Sequence, residues 1–450
     1  MVVQEHFTRG FSDLFLIFNL TEQNVNLGGK MKKKLILLVL SLVMVLGLIA
    51  GCGGKTDQEP EKETDKAEEV VEEDVETDDE DTDAEAPAED DEADDTEPSD
   101  DALSIVIVSS PSGVDDGNFN QDNYIGIQNF IKNYPNATVE DIRETSVENS
   151  VDTAASVVGD YDVIVTPGFQ FSAISTAAVD NPDKKFILVD SFPTDVDDLA
   201  AGEEMPGEAE YPNIYAMQFK EQEGGFFAGI AAALETKTGK VAVVNGIAYP
   251  SNVNYQFGFE AGVAYANKHF STTAELVEIP GKQGTDVRGI DVGGNYIGGF
   301  DDEAGGKQIG EDLLKEGVDI IFVAAGGSGN GVFTAVKEHG ESMVIGCDVD
   351  QFDDGVNGDE NIVLTSALKV MHLNVERQLE AIANGTFEGK NEVLGADSDS
   401  VDYAKKEGRH QLSAETLEKM EEIFAGLKDG SIVPPSNFSD ETVEDFIGLD

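Results

Sequence analysis

Basic residues and cysteines are the two shortages of this chain. Its 450 residues hold 29 lysines and arginines against 90 aspartates and glutamates, a formal charge of −61. Binding to nucleic acid rests on lysine and arginine meeting phosphates, so that role is excluded. The two cysteines, Cys52 and Cys347, lie almost three hundred residues apart and make no disulfide framework. Histidine is also scarce: His6, His269, His339, His372 and His410 are scattered, with neither an H-E-x-x-H nor a G-x-S-x-G segment. Zinc-protease and serine-hydrolase chemistry therefore have no support. The aliphatic stretch Leu35–Leu48 is shorter than the roughly 20 residues a membrane-spanning helix needs.

That short apolar stretch has a different use. Lys32, Lys33 and Lys34 precede it, and the small residues Ala50 and Gly51 follow, then Cys52. Basic cluster, apolar core and small-residue cleavage site are the parts of a signal peptide, here residues 31–51. Ile49-Ala50-Gly51-Cys52 resembles a bacterial lipobox, which implies cleavage before Cys52 and lipid on its sulfur and new N-terminus. More than one acyl chain is what stable anchoring requires. Thirty residues precede Met31, and Gly28-Gly29-Lys30 is encodable by a purine-rich, ribosome-binding-like run. Met31 is thus the expected start, and residues 1–30 an upstream extension outside the fold.

From Lys55 to Asp101 the chain carries 26 acidic and three basic residues. A block so charged and so poor in apolar groups cannot offset its ordering entropy. Residues 52–102 therefore read as a disordered tether, spanning on the order of 40 Å before self-repulsion lengthens it.

Beyond it, short β-branched runs alternate with helix-like stretches. "LSIVIVSS", "YDVIVTP", "KKFILVD", "KVAVVNG", "VDIIFVAAG" and "SMVIGCD" read as strands. Near-continuous apolar strands between amphipathic helices imply parallel sheets covered on both faces. More than 300 residues exceed one comfortable core. The expected architecture for 103–436 is α/β with two Rossmann-like lobes. The first runs from about 103 to 215 and takes part of the segment after 347. The second runs from about 216 to 347 and takes the C-terminal helix. Residues 437–450 form an acidic tail. Ligands in such sheets bind beyond the carboxyl ends of the strands, so the cleft between lobes is the default site.

Polar and aromatic residues fall at those strand ends: "GVDDGNFNQDNYIG" after the first strand, Asp190 after the fourth, "NVNYQFGFEAG" after "VAVVNG", "AAGGSGNGVF" after "DIIFV", then Asp348 and Lys369. Taken singly, each has a plain structural use. Asp115 and Asp116 fit a turn or helix cap, Tyr124 and Tyr255 fit core positions, and Asp348 fits a turn. "GGSGNG" (Gly326–Gly331) approaches a dinucleotide-binding fingerprint, but Val332 stands where its third glycine belongs.

Together these segments resemble the basic membrane lipoprotein family, the purine nucleoside receptors of ABC transporters. "DDGNFNQDNYIG", "EGGFFAGIAA", "YQFGFEAGV", "GVDIIFVAAGGSGNGV", "IGCDVDQ" and "LTSALK" occur in the family's order within 103–385. The resemblance implies a type I periplasmic-binding-protein fold, two lobes joined by three crossovers, closing on a nucleoside. It implies that Asp115, Asp116 and Asn120 of the D-x-x-F-N segment contact the ligand. Tyr124 and Tyr255 would stack on the two faces of the base. Asp190 and Asp348 would bind polar groups, Gly326 or Gly327 would bring backbone to the sugar, and Lys369 would complete the set. No cofactor and no enzymatic step are implied. The implied partners are a purine nucleoside, an ABC permease and the membrane through Cys52, with the receptor itself a monomer. A receptor for another small polar ligand such as a sugar, and a surface or signalling lipoprotein, are the alternatives.

Because Cys52 is the lipid acceptor in this reading, Cys52→Ser should release the protein from the membrane fraction into the medium. Retention of the mutant in membranes, measured by fractionation and immunoblot, overturns that assignment.

Overall fold

A computed structural model describes residues 102–203, 205–437 and the single positions 443, 446 and 448. Cys52 and the stretches read from the sequence as upstream extension, signal peptide and acidic tether, up to residue 101, lie outside the described residues. In chain order, β1 (Ser104–Ser109), α1 (Phe119–Asn133), β2 (Thr138–Arg143), α2 (Ser150–Val157), β3 (Val163–Pro167), α3 (Ser175–Asp180), β4 (Lys185–Val189), α4 (Val196–Ala201) and β5 (Ile214–Phe219) build a first lobe. A second lobe follows with α5 (Glu221–Glu235), β6 (Lys240–Asn245), α6 (Pro250–His269) and the short β7 (Glu275–Leu276), then the hairpin β8 (Gly284–Thr285) and β9 (Asp291–Gly293). It continues through α7 (Glu303–Lys315), β10 (Ile320–Ala324), α8 (Gly329–His339), β11 (Met343–Asp348), the hairpin β12 (Val356–Asn357) and β13 (Glu360–Asn361), and β14 (Val363–Lys369). The chain returns to the first lobe for α9 (Met371–Ala383) and β15 (Lys390–Leu394), then ends in the second with β16 (Val401–Tyr403) and α10 (Ala414–Asp429).

The first sheet has the order β15-β5-β4-β3-β1-β2 and the second β16-β14-β11-β10-β6-β7. Every pairing in both is parallel except β16 on β14, which is antiparallel. The strands show why. In β1, Ile105 and Ile107 join one apolar cluster while Val106 and Val108 join another on the opposite face. In β6, Val241 and Val243 face one cluster, Ala242 and Val244 the other. Residues at alternate positions point to opposite faces, so a strand apolar throughout must be covered twice. Four apolar clusters, two per sheet, result. Among the described residues no helix is long and apolar enough to cross a membrane.

Two boundaries differ from the sequence reading. The first sheet keeps the chain through Phe219 rather than about Tyr215, because β5 pairs with β15 as far as Phe219 opposite Leu394. The second sheet keeps it through Lys369 rather than about Cys347, because β14 pairs with β11. One residue of the expected acidic tail is placed in the core. Phe446 is 2% exposed and packs on Phe226 and Tyr265, with ring centroids 5.7 and 6.5 Å away. A buried aromatic of that size outweighs the charge around it.

Three crossings join the lobes, at 219–221, 369–371 and 394–401. They are tied to one another. The Lys220 amide donates to the Leu394 carbonyl at 2.8 Å and the Val370 amide to the Ser400 carbonyl at 2.9 Å. The Ala396 amide donates to the Glu223 carboxylate at 2.7 Å.

Helices α5 and α6 cross in backbone contact. Gly225 and Gly229 lie against the carbonyls of Tyr255 and Phe259, while Gly258 and Gly262 lie against those of Gln222 and Phe226. Each pair is spaced i, i+4, which places both glycines on one helix face. This contact fixes Glu221 and Tyr255 beside each other at the cleft. A Cβ at Gly258 would overlap the Gln222 carbonyl, whereas one at Gly159 meets nothing within 4 Å. Gly258→Ala should therefore cost about 1–3 kcal/mol or more by overpacking. Gly159→Ala should stay within about 0.5 kcal/mol. Denaturant unfolding of the two variants checks this.

Candidate functional site

The carboxyl ends of both sheets face one cleft between the lobes, enclosing about 560 Å³ of space including what opens to solvent. That lies within the usual size of a small-molecule site. Its floor is a cluster of charged groups. Lys369, the last residue of β14, is 2% exposed. Its Nζ donates to Asp190 Oδ2 at 2.6 Å, with Asp348 Oδ1 at 3.5 Å and Glu221 Oε1 at 3.7 Å. Asp190 follows β4 of the first lobe, so this contact bridges the two lobes. Burial alone would lower the lysine's pKa, but Asp190, Asp348 and Glu221 together raise it, so the ammonium stays charged. Burial lifts the Asp190 carboxyl, offset in part by Lys369. Burial, with Asp190 adding to it, pushes Glu221 up to about 8.

Two of these carboxylates sit on unusual backbone. Asp190 has φ 60° and Asp348 has φ 66°. Non-glycine residues rarely adopt that left-handed region, and strain of this kind gathers at ligand sites. Each residue ends the corresponding strand of its own sheet, so the turn aims both side chains into the cleft. Asp190 Oδ1 is buried and has no hydrogen-bond partner. An unpaired buried carboxylate oxygen is costly unless something binds it.

The walls are aromatic. Phe119, the first residue of α1, lies with its ring centroid 4.8 Å from Lys369 Nζ. Phe169 of the first lobe meets Tyr249 of the second at 5.3 Å between centroids, and Phe300 lies 6.1 Å from Tyr249. Beside them the Ser112 hydroxyl donates to the Phe300 carbonyl at 3.1 Å, a second bridge between lobes.

Of the residues singled out in the sequence, Asp116, Asn120, Asp190, Tyr255, Gly326, Asp348 and Lys369 line this cleft. Asp116 does so as a helix cap. Its carboxylate accepts from the amides of Asn118, Asn120 and Gln121, each at 3.0 Å, and from Asn120 Nδ2 at 2.7 Å. Burial nevertheless raises its pKa, the bonds to Asn118 and Asn120 opposing. Tyr255 is 3% exposed. Its hydroxyl donates to Asp348 Oδ1 at 3.0 Å, and its ring meets Phe322 edge-on at 5.6 Å. Cys347 also lines the cleft, and burial holds its thiol well above the ordinary value.

Three residues are corrected. Asp115 is exposed and does not line the cleft. Tyr124 packs on the core of the first lobe. It lies five residues past Phe119, about 140° round the helix, so only one of the two rings can face the cleft. Gly327 lies against the Phe300 carbonyl and Ser112 rather than in the lining. Sequence reasoning overlooked Phe119, although it is the aromatic of the D-x-x-F-N segment itself. It also overlooked Phe169, Tyr249, Phe300 and Glu221, whose convergence depends on how the lobes meet. Among the described residues, no cluster of histidine, cysteine or carboxylate side chains is arranged to hold a metal ion.

Lys369 is the one cation among the cleft-lining residues. Lys369→Met leaves the buried Asp190 and Glu221 carboxyls and the partly buried Asp348 uncompensated and should destabilise the ligand-free protein at neutral pH by about 3–5 kcal/mol. Carboxyls whose folded pKa is raised cost nothing below the unfolded value, near 4, and increasingly more as pH rises. The deficit should therefore shrink toward about pH 4. Melting curves of variant and wild type across pH check both magnitude and sign.

The family model for "ABC transporter substrate-binding protein PnrA-like" matches residues 103–280 and 288–426. The chain is 29% identical to the CD4+ T-cell-stimulating antigen of Listeria monocytogenes over 430 residues, 90% of this chain and 99% of that one. It is 27% identical to the ABC transporter nucleoside-binding protein BmpA of Lactococcus lactis, covering 74% of this chain and 89% of that one. Basic membrane protein A of Borreliella burgdorferi is also 27% identical, over 74% of this chain and 87% of that one. Among solved structures, a solute-binding protein of an ABC transporter system from Aeropyrum pernix superposes with TM-score 0.62 at 21% identity, covering 76% of this chain and 95% of that one. A second, from Conexibacter woesei, gives TM-score 0.53 at 19% identity over 75% of this chain and all of that one. Two parallel-sheet lobes, three crossings and the interlobe cleft are the type I periplasmic-binding-protein fold of those structures, and the chain belongs to the PnrA-like family of ABC transporter substrate-binding proteins.

Proposed function

We infer that this protein is an extracytoplasmic receptor, anchored by lipid on Cys52, that captures purine nucleosides and delivers them to an ABC permease without chemical change. The observation that carries this reading is the buried Asp190 oxygen without a partner, facing a cleft walled by aromatic rings from both lobes. A purine nucleoside pairs a flat polarisable base with a hydroxyl-bearing sugar. Aromatic rings suit the first, at about 1–3 kcal/mol per stacked base. Carboxylates suit the second, since charge-assisted bonds to hydroxyls are short and strong. The relative from Lactococcus lactis, named for nucleoside binding, supports the same ligand class.

In this reading Phe119 replaces Tyr124 as the stacking ring of the first lobe, and Tyr255 lies under the base from the second. Asp116 and Asn120 face the base edge. Asp190, Asp348 and Lys369 take the sugar, and Gly326, with φ 53°, lets backbone come close. Each part of the ligand is held from both lobes, so binding and closure are the same event.

The test is calorimetric titration with guanosine, inosine and adenosine, the free bases and a sugar panel. Phe119→Ala should weaken nucleoside binding by about five- to a hundred-fold. Asp348→Asn should weaken nucleosides more than free bases. Binding of a sugar but no nucleoside replaces the ligand class. Equal binding by wild type and Phe119→Ala removes the stacking role.

A further inference from the structure

Glu221 opens α5 at the first crossing and is 2% exposed. The ligand assignment leaves it unused, and so did the sequence. Its carboxyl is held from behind: Oε2 accepts from Asn254 Nδ2 at 3.1 Å, and Asn254 Oδ1 accepts the Asn437 amide at 2.8 Å. Helix α6 and the C-terminal segment thus fix where Glu221 points. Its other oxygen lies 3.7 Å from Lys369 Nζ, while Asp190 of the opposite lobe lies at 2.6 Å. One ammonium therefore has three claimants, Glu221 and Asp348 of its own lobe and Asp190 across the cleft.

The groups facing Glu221 decide the contest. Asp190 comes from the end of β4, Asp348 from β11 and Lys369 from β14, and α6 adds the Asn254 amide and the Tyr255 hydroxyl. On α5 itself, Glu223 turns to the crossing, where it takes the Ala396 amide at 2.7 Å and faces Lys220 at 3.7 Å. Three carboxyls share one ammonium, so charge is in surplus. Asp190 has the short bond and Asp348 has the Tyr255 proton. Glu221 lies beyond hydrogen-bond reach of the lysine and is buried, which makes it the group that takes a proton.

We propose that Glu221 is a positioning residue that works as a neutral acid: protonated, it leaves Lys369 to bridge Asp190 and hold the lobes closed on the ligand, and ionised, it draws Lys369 back into the second lobe. Resting on the reading of this cleft as the ligand site, the idea makes ligand capture a proton-linked event. Raised pH weakens closure through a group that touches no ligand. The upward push that burial and Asp190 give this carboxyl agrees with the geometry.

Two measurements on the purified full chain test it. Guanosine titrations from pH 7 to 9.5, repeated in buffers of different ionisation enthalpy, should give proton uptake on binding. Affinity should fall by up to about tenfold per pH unit as the proton is lost. Glu221→Gln should abolish the uptake and flatten the slope. The second measurement needs no ligand. A carboxyl raised by folding costs stability as pH climbs from its unfolded toward its folded value. Wild type should therefore lose melting temperature relative to Glu221→Gln between about pH 5 and 8. Zero proton uptake by wild type, or parallel pH profiles for wild type and variant, overturns the proposal. If no nucleoside binds, the function above fails, and the melting series alone still decides whether Glu221 takes the proton.

Discussion

A single buried ammonium, Lys369, surrounded by carboxyls from both lobes, is the contact on which the rest of this molecule depends. Asp190 reaches it from one lobe, Asp348 and Glu221 from the other. Removing charges from water costs several kcal/mol per ion, and only close opposite charge and hydrogen bonds repay it. The repayment here is incomplete, since one Asp190 oxygen has no partner. A cleft left slightly unsatisfied is what a binding protein needs. A ligand that bonded that oxygen would meet a group whose desolvation folding has already imposed.

The scaffold that aims those groups is built from close backbone approach. Four glycines let α5 and α6 touch, which places Glu221 and Tyr255 against the same strand ends. Sheet strands that are apolar on both faces seat the charged residues only where each strand stops. The left-handed turns at Asp190 and Asp348 then rotate both carboxylates inward. Crossings tied by Lys220, Glu223 and Val370 give the lobes a compact hinge rather than a loose linker.

The overall charge of −61 has its own consequence. A strongly acidic surface repels polyanions and keeps the chain soluble in salt water. Inside the cleft the same sign prevails, with a lone cation among the lining residues, which favours a neutral, hydroxyl-rich ligand over an anionic one.

The fold class was legible in the sequence because it depends on local pattern. The four central residues of "SIVIVS" and of "KVAVVN" are all apolar, and a sheet covered on both faces buries them. Strand ends were legible too, so seven of the residues singled out in the sequence, among them Asp190, Asp348 and Lys369, line the cleft. What only the tertiary structure decided is which face each neighbouring side chain shows. Phe119 and Tyr124 share a helix and both pack on the core of the first lobe, yet only Phe119 also lines the cleft. Asp115 and Asp116 are adjacent, yet one is exposed while the other caps α1. Glu221 meets Lys369 across 148 residues of sequence. Periodicity along the chain determines burial against a neighbouring layer. Convergence of distant groups on one atom depends on the packing of lobes, which leaves no periodic trace in the sequence.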